Sequence, residues 1–202
     1  MSISASDVKK LRDMTGAGMM DAKKALSDND GDYDKAVKSL REKGLADSKK
    51  RAGKEANQGT IGDYIHYQQG RAVSGVLVEL ACETDFVAKS DEFKNVAKQV
   101  AMHIAASKPE FLNMDDVPSD RIDDEKDIIQ KQSENEGKPK DVISKIVEGK
   151  ISSFYKDYVL NEQTFCNPEF YEGKVGTMIE ELSGKLGEKI YIKTFSRIEV
   201  GS

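Results

Sequence analysis

The segment Thr84-Asp85-Phe86-Val87 sets a carboxylate beside an aromatic ring in a stretch that falls between a strand pattern and a helix pattern. Loops in that position are what scaffolds present to partners, and a loop tip rarely needs an exposed aromatic side chain. Two readings stand on spacing alone. In one, Phe86 or Val87 folds back to staple the start of the next helix while Asp85 makes a local turn bond. In the other, the loop faces a partner.

The remaining reactive types do not assemble into a catalytic set. His66 and His103 are the two histidines, far apart in sequence, so a metal site or an acid–base dyad would need long-range convergence that no spacing supports. His103 stands seven residues after Val96, at the edge of an apolar helical stripe, where an imidazole is either a satisfied boundary residue or a contact to a partner. Gly16-Ala-Gly18 precedes a helix and resembles a phosphate cradle, but its lysines, Lys23 and Lys24, lie inside that helix, and a tight turn is the expectation. There is no GxxxxGK, GxGxxG, GxSxG or HExxH pattern, so no covalent chemistry is expected, and neither a cofactor nor a metal site. Cys82 and Cys166 are the two cysteines, without CxxC spacing, which excludes a disulfide scaffold and fits a reducing cytoplasmic compartment.

These residues must be positioned by elements that the periodicity predicts. Three short helices are expected over residues 4 to 44. Ser4 and Asp7 have the spacing of a capping box, with Val8 and Leu11 following on one face. Thr15-Gly-Ala-Gly18 breaks that helix, a second begins near Met19 with Ala22, Ala25 and Leu26, and Asn29-Asp-Gly31 ends it. Asp32 is placed to cap a third, bearing Tyr33, Ala36, Val37 and Leu40, and Gly44 is read as its terminator. Asp47 to Glu55 reads as a polar linker, and the domain boundary is set near residue 55.

From Thr60 the period changes from 3.6 to 2. Ile61 to Tyr67 and Arg71 to Cys82 flank Gln68-Gln69-Gly70 as a β-hairpin. Ser90 or Asp91 caps a helix carrying Phe93, Val96, Ala97, Val100, Ala101 and Ile104, which stops at Pro109. An acid-rich helix follows over about Ser119 to Glu136, with a thin stripe of Ile122, Ile128 and Ile129. Another presents Val142, Ile143, Ile146, Val147, Phe154, Tyr155 and Tyr158, and a short one covers 175 to 186. Lys189 to Val200 alternates as a half-buried strand that completes a sheet with the hairpin. The fold class is α+β: an N-terminal three-helix bundle with its linker over residues 1–55, and an α+β core with a small antiparallel sheet and packed helices over 56–202.

Composition agrees with a folded binding protein. The 202 residues exceed one average domain of about 100–150 residues, and 38% hydrophobic with 33% charged is globular in balance. A net charge of −5 opposes a general affinity for nucleic acid; the run Lys49, Lys50, Arg51 and Lys54 reads as a solvated linker. The start, Met1-Ser-Ile-Ser-Ala-Ser6-Asp7, lacks the basic-then-apolar order of a leader, and no apolar run approaches the roughly 18 residues of a membrane span.

Two segments carry a family resemblance. Leu11-Arg-Asp-Met-Thr-Gly-Ala-Gly-Met-Met-Asp-Ala-Lys-Lys-Ala-Leu26 resembles the N-terminal signature of the elongation factor Ts family, and Thr84-Asp-Phe-Val87 resembles its core signature. Further similarity runs through Gly31 to Val37, Ala101 to Pro109, Gly137-Lys-Pro139, Val147-Glu-Gly149 and Arg197 to Gly201, so it covers nearly the whole chain. The resemblance implies a guanine nucleotide exchange factor for elongation factor Tu. Such a factor binds the GDP form, displaces Mg2+ and promotes GDP release, so that GTP can bind during translation elongation. It also implies that residues 1–55 form a ubiquitin-associated-like (UBA-like) domain docking on the nucleotide-binding domain of that partner. Arg12, Met19 and Met20 are then contacts, although methionines at a helix start also serve as core fillers. Asp85 and Phe86 would act beside the bound magnesium, Phe86 entering a pocket and Asp85 approaching the metal region, with Thr84 and Val87 completing the loop. His103 matches a family contact position.

Longer family members carry two related halves where this chain has one hairpin-plus-helix unit, which makes it similar to the short form. The short form implies a homodimer and a 2:2 complex, with two chains supplying the missing surface. Neither direct nucleic-acid binding nor a membrane is implied, and the compartment is the cytoplasm. One rival is a ubiquitin-like or nascent-chain-binding adaptor built on the N-terminal bundle; another is an RNA-binding translation protein using Lys49 to Lys54.

Overall fold

Ser4 starts the first helix by the reciprocal bonding that its spacing predicts. Its hydroxyl accepts from the Asp7 amide at 3.1 Å, and the Asp7 carboxylate accepts from the Ser4 amide at 3.1 Å. Helix α1 (Ala5–Thr15) ends at Gly16, whose backbone is left-handed at φ 69°. Helices α2 (Met19–Asp28) and α3 (Tyr33–Lys50) follow, and the Asp32 carboxylate caps α3 by accepting from the Lys35 amide at 3.1 Å. The computed structural model describes residues 3–201; Met1, Ser2, Ser202 and the side chain of Lys49 lie outside the described residues, and with them the leader reading of Met1 and Ser2 and part of the basic run.

The bundle core is Val8, Leu11, Ala22, Ala25, Leu26 and Ala36, with Ile3, Tyr33, Val37 and Leu40 packed around it. Tyr33 also donates its hydroxyl to Asp7 at 3.0 Å, which ties α3 back to the start of α1. Helix α3 does not stop at Gly44. It runs six residues further, to Lys50, because Gly44 lies against Gly184 of a later helix and supplies a close approach instead of a cap.

Strands β1 (Gln58–Gln68) and β2 (Arg71–Cys82) form the expected hairpin, turning through Gln69 and Gly70 at φ 51° and 79°. Positive φ at both turn residues matches the right-handed twist of the strands it joins. Strand β3 (Tyr191–Glu199) completes a three-stranded antiparallel sheet of order β1-β2-β3. The segment read as a loop at residues 84–87 contains a single helical turn, α4 (Asp85–Ala88), before α5 (Asp91–Ser107). Ser90 caps α5, its hydroxyl accepting from the Phe93 amide at 3.4 Å.

Helices α6 (Ser119–Asn135) and α7 (Lys140–Tyr158) share a core of Ile122, Ile129, Ile151 and Phe154 with Val117 and Val159, and α8 (Val175–Leu186) precedes β3. Ile128 and Val142, read as members of the apolar stripes, are exposed. Each adjoins a buried isoleucine, Ile129 or Ile143, and neighbours 100° apart on a helix cannot both point inward across a narrow contact. The class is α+β, as expected.

The chain contacts itself as two compact units, one comprising Met1–Ile61, Glu79–Asn95 and Met178–Lys193, the other Gly62–Val78, Val96–Thr177 and Thr194–Ser202. The first therefore contains the bundle, the Thr84–Val87 turn and most of α8. Among the described residues, no helix is long and apolar enough to cross a membrane.

Candidate partner-binding site

Strand β2 brings Cys82 to the end of the sheet fully buried, and the next four residues must leave it without losing their backbone hydrogen bonds. Thr84 solves this as the N-cap of α4: it is extended at φ −122°, ψ 153°, and its hydroxyl accepts from the Val87 amide at 3.4 Å. Its carbonyl accepts from the Cys82 thiol at 3.2 Å. Val87 and Ala88 then point into the core.

Between these anchors, Phe86 is 82% exposed, the highest value among the large apolar side chains of the described residues. The two readings of this segment therefore divide by residue. Val87 is the side chain that folds back, and Phe86 projects into solvent with no packing role in its own chain. Asp85 is also exposed, and the Lys89 ammonium one helical turn on, at 2.6 Å, holds its carboxyl below the ordinary aspartate value. An anionic oxygen and an aromatic ring thus stand side by side on a turn whose two ends are fixed.

A pair of carboxylates secures the turn from the other side. Glu188 Oε2 accepts from the amides of Glu83 and Thr84, both at 3.0 Å, and Oε1 accepts from the Thr84 hydroxyl at 2.5 Å. Glu83 returns the contact, accepting from the Lys189 amide at 2.6 Å and pairing with Lys54 at 2.9 Å. The Lys189 amide bond, with the Lys54 charge behind it, keeps the Glu83 carboxyl below its usual range. Sequence reasoning missed Glu188, and no local pattern marks it, because it lies more than a hundred residues from the amides it binds. Lys54 and Lys50 of the basic run are each paired with an acid, Glu83 and Asp47.

The N-terminal candidates are at the surface as well. Arg12 is exposed, and Met19 and Met20, at the start of α2, are 47% and 76% exposed, which removes the core-filler reading for both. Met14, which was not singled out in the sequence, joins them at 61%. Three exposed methionines thus stand within seven residues, one near the end of α1 and two at the start of α2.

His103 is placed differently. It is 0% exposed, stacked on Phe165 at 5.2 Å, with Nδ1 accepting from the Cys166 amide at 3.1 Å. That bond leaves the proton on Nε2, which donates to Gln163 Oε1 at 2.9 Å. The Gln163 amide is oriented in turn by donating to the carbonyls of Ser107 and Asp157. Burial pushes the imidazole below its ordinary value, with the Gln163 bond opposing in part, so His103 is neutral at pH 7. His66 is exposed on β1, its Nδ1 3.2 Å from the Tyr64 hydroxyl.

Among the described residues, no cluster of three or more His, Cys, Asp or Glu side chains could hold a metal ion. Cys82 is buried and Cys166 exposed; desolvation by neighbouring atoms, complete for the first and partial for the second, holds each thiol above its ordinary value. What the arrangement exposes is an aromatic side chain on a fixed turn with a carboxylate beside it, and the methionines Met14, Met19 and Met20 on the bundle.

The family model described as Elongation factor TS matches residues 4–202. A protein named Elongation factor Ts from Desulforamulus reducens is 50% identical over 199 residues, 98% of this chain and 89% of the relative. Proteins of the same name from Fervidobacterium nodosum and Herpetosiphon aurantiacus are 47% and 46% identical, with all of both chains covered in each case. A full-length family match and identity near one half over whole chains together place the chain in the elongation factor Ts family.

Proposed function

We propose that this chain is a guanine nucleotide exchange factor for elongation factor Tu: it binds the GDP form, inserts the Asp85–Phe86 turn beside the bound Mg2+, and promotes GDP release so that GTP can enter. The observation that carries this reading is the 82% exposure of Phe86 on a turn pinned by buried Val87 and by Glu188. An exposed aromatic whose backbone is already fixed loses only side-chain freedom on binding, and it gains an apolar pocket. Asp85, anionic at neutral pH, would perturb the metal region. Mg2+ bridges nucleotide phosphates to protein, so displacing it leaves phosphate charge less compensated and weakens GDP and GTP alike.

In this reading residues 1–55 are the UBA-like docking domain, with Arg12, Met19 and Met20 as its contacts and Met14 beside them, and residues 56–202 are the core that carries the exchange loop. Thr84 and Val87 hold the loop. His103, enclosed as it is, contributes by fixing the segment around Gln163 and Cys166. No covalent step and no cofactor are needed, and the factor works in the cytoplasm, where its partner is. The outward side of the hairpin, with exposed Ile65, Tyr67 and Leu77, supports pairing of two copies into a 2:2 complex.

Thermodynamic linkage limits the activity. If the factor weakens nucleotide binding by some ratio, nucleotide weakens factor binding by the same ratio, so incoming nucleotide displaces the factor and the direction of exchange follows the nucleotide pool. The direct test is release of fluorescent GDP from elongation factor Tu under excess unlabelled nucleotide and saturating magnesium. Strong acceleration by substoichiometric protein is expected; release at the spontaneous rate would refute the proposal.

A further inference from the structure

We propose that Glu188 is a positioning residue for exchange: it never meets the partner, and it sets the Asp85–Phe86 turn through Thr84. The inference rests on the exchange reading and adds to it a residue that lies outside both signature segments. Two backbone amides and one hydroxyl converge on the Glu188 carboxylate, and bonds to an ionised acceptor are the strong class. Because the Thr84 hydroxyl spends its hydrogen on Glu188, its lone pairs face the Val87 amide, which is the bond that caps α4. Removing the carboxylate frees that hydroxyl to rotate and takes from two amides at the strand end the side chain that holds them in place.

Glu188 is itself held. It follows α8 directly, past Gly187 at φ 73°, and its carbonyl accepts from the Ser183 hydroxyl at 2.6 Å. The adjacent Lys189 donates its amide to Glu83 and its ammonium to the Lys54 carbonyl at 2.7 Å. Three separate segments, at Lys54, at Glu83–Thr84 and at Glu188–Lys189, are thereby closed into one reciprocal clasp under the turn. A packing role alone would not need this: the clasp is polar and partly exposed, and Val87 already anchors the turn apolarly.

The test is stopped-flow release of fluorescent GDP from elongation factor Tu at saturating factor, for wild type, Glu188→Ala, Glu188→Gln, Phe86→Ala and the double variant Glu188→Ala/Phe86→Ala. Misplacing a reacting group by an ångström costs orders of magnitude, so Glu188→Ala should lower the saturated rate by about tenfold or more. The half-saturating concentration should change by less than about threefold, because uniform binding is retained. Glu188→Gln should recover most of the rate, since an amide oxygen still accepts the two backbone amides and its NH2 can donate to Thr84 Oγ1. In the Phe86→Ala background, Glu188→Ala should cost nothing further. Amide hydrogen exchange over residues 83–88 should rise in Glu188→Ala with the rest of the chain unchanged.

A wild-type rate for Glu188→Ala, full additivity with Phe86→Ala, or Glu188→Gln as slow as Glu188→Ala would each overturn the proposal. If Glu188→Ala does not fold, Thr84→Val removes the hydroxyl, and with it both the link to Glu188 and the cap on the Val87 amide through which that link acts, and should show the same rate loss; a wild-type rate there overturns the proposal equally. Acceleration by wild type with Phe86→Ala silent and Glu188→Ala normal sinks this inference by itself, whereas no acceleration by wild type sinks the exchange reading and this inference with it.

Discussion

Gly184 of α8 lies so close to Gly44 of α3 that a Cβ built on Gly184 would stand 2.6 Å from the Gly44 carbonyl oxygen and 2.7 Å from its Cα. The relation is not symmetric. A Cβ built on Gly44 would meet the Gly184 Cα at 3.7 Å, an ordinary van der Waals distance. The two helices cross at bare backbone, and beside the crossing Arg41 is paired with Glu181. This crossing joins the N-terminal bundle to the helix that delivers Glu188.

The asymmetry predicts opposite signs for two identical changes. Gly184→Ala must push the helices apart and should destabilise the protein by about 1–3 kcal/mol, the usual range for overpacking. Gly44→Ala adds a methyl group at ordinary contact distance from Gly184 within a helix and should stabilise by roughly 0.5–1 kcal/mol. Urea unfolding followed by circular dichroism measures both. Equal effects would mean that the crossing is looser than described.

Phe86→Ala should leave the fold intact and remove most of the exchange activity. A side chain with four-fifths of its surface in water contributes little to folding, so the unfolding free energy should stay within about 0.5 kcal/mol of wild type. Against that small change, stimulated GDP release from elongation factor Tu should fall toward the spontaneous rate. A large loss of stability would show that Phe86 packs within its own chain; undiminished release would rule out insertion of the turn.

Met19→Ala and Met20→Ala should separate docking from exchange. Both side chains are exposed, so stability should change little, and losing an apolar interface contact costs affinity without altering the step at the nucleotide. The concentration of factor giving half-maximal release should rise by about tenfold for the pair, a loss of about 1.4 kcal/mol. The rate at saturation should hold. Unchanged half-saturation would remove the methionine patch from the docking surface.

Much of this architecture can be read from short-range pattern, and the departures share one cause. Ser4 with Asp7, Asp32 as a cap, Gln68-Gln69-Gly70 as a hairpin connection and the stripe from Phe93 to Ile104 are all local signals, and each forms where the pattern puts it, the turn narrowing to Gln69 and Gly70 because Gln68 belongs to β1. Gly44 was misread because a glycine in a helix pattern terminates or permits contact with equal ease, and its partner lies 140 residues on. The exposure of Phe86 against the burial of Val87 could not be separated by adjacent apolar types. Glu188 was invisible for the same reason as Gly184: its meaning is a tertiary contact, and nothing in its neighbours in sequence reports it.

His103 should give the protein an acid-sensitive stability that one substitution removes. Burial lowers its folded pKa below the ordinary value of 6.5, so the folded state keeps it neutral while the unfolded chain takes up a proton near that value. Above the unfolded value both states are neutral and the stabilisation is complete. As pH falls through it, the unfolded state binds the extra proton and stability declines, by at most about 1.4 kcal/mol per pH unit, until the folded pKa is reached. The groups facing the ring are Gln163, Ser107, Phe165 and the Cys166 amide, none of which carries a charge that would oppose this direction. Unfolding free energy should therefore slope downward from pH 7 to pH 5.5 in wild type. His103→Gln, less stable at pH 7 for want of the ring's packing on Phe165, should be flatter across the same interval. Parallel slopes in the two proteins would mean that His103 takes up its proton in the folded state without disturbing Gln163 and Cys166.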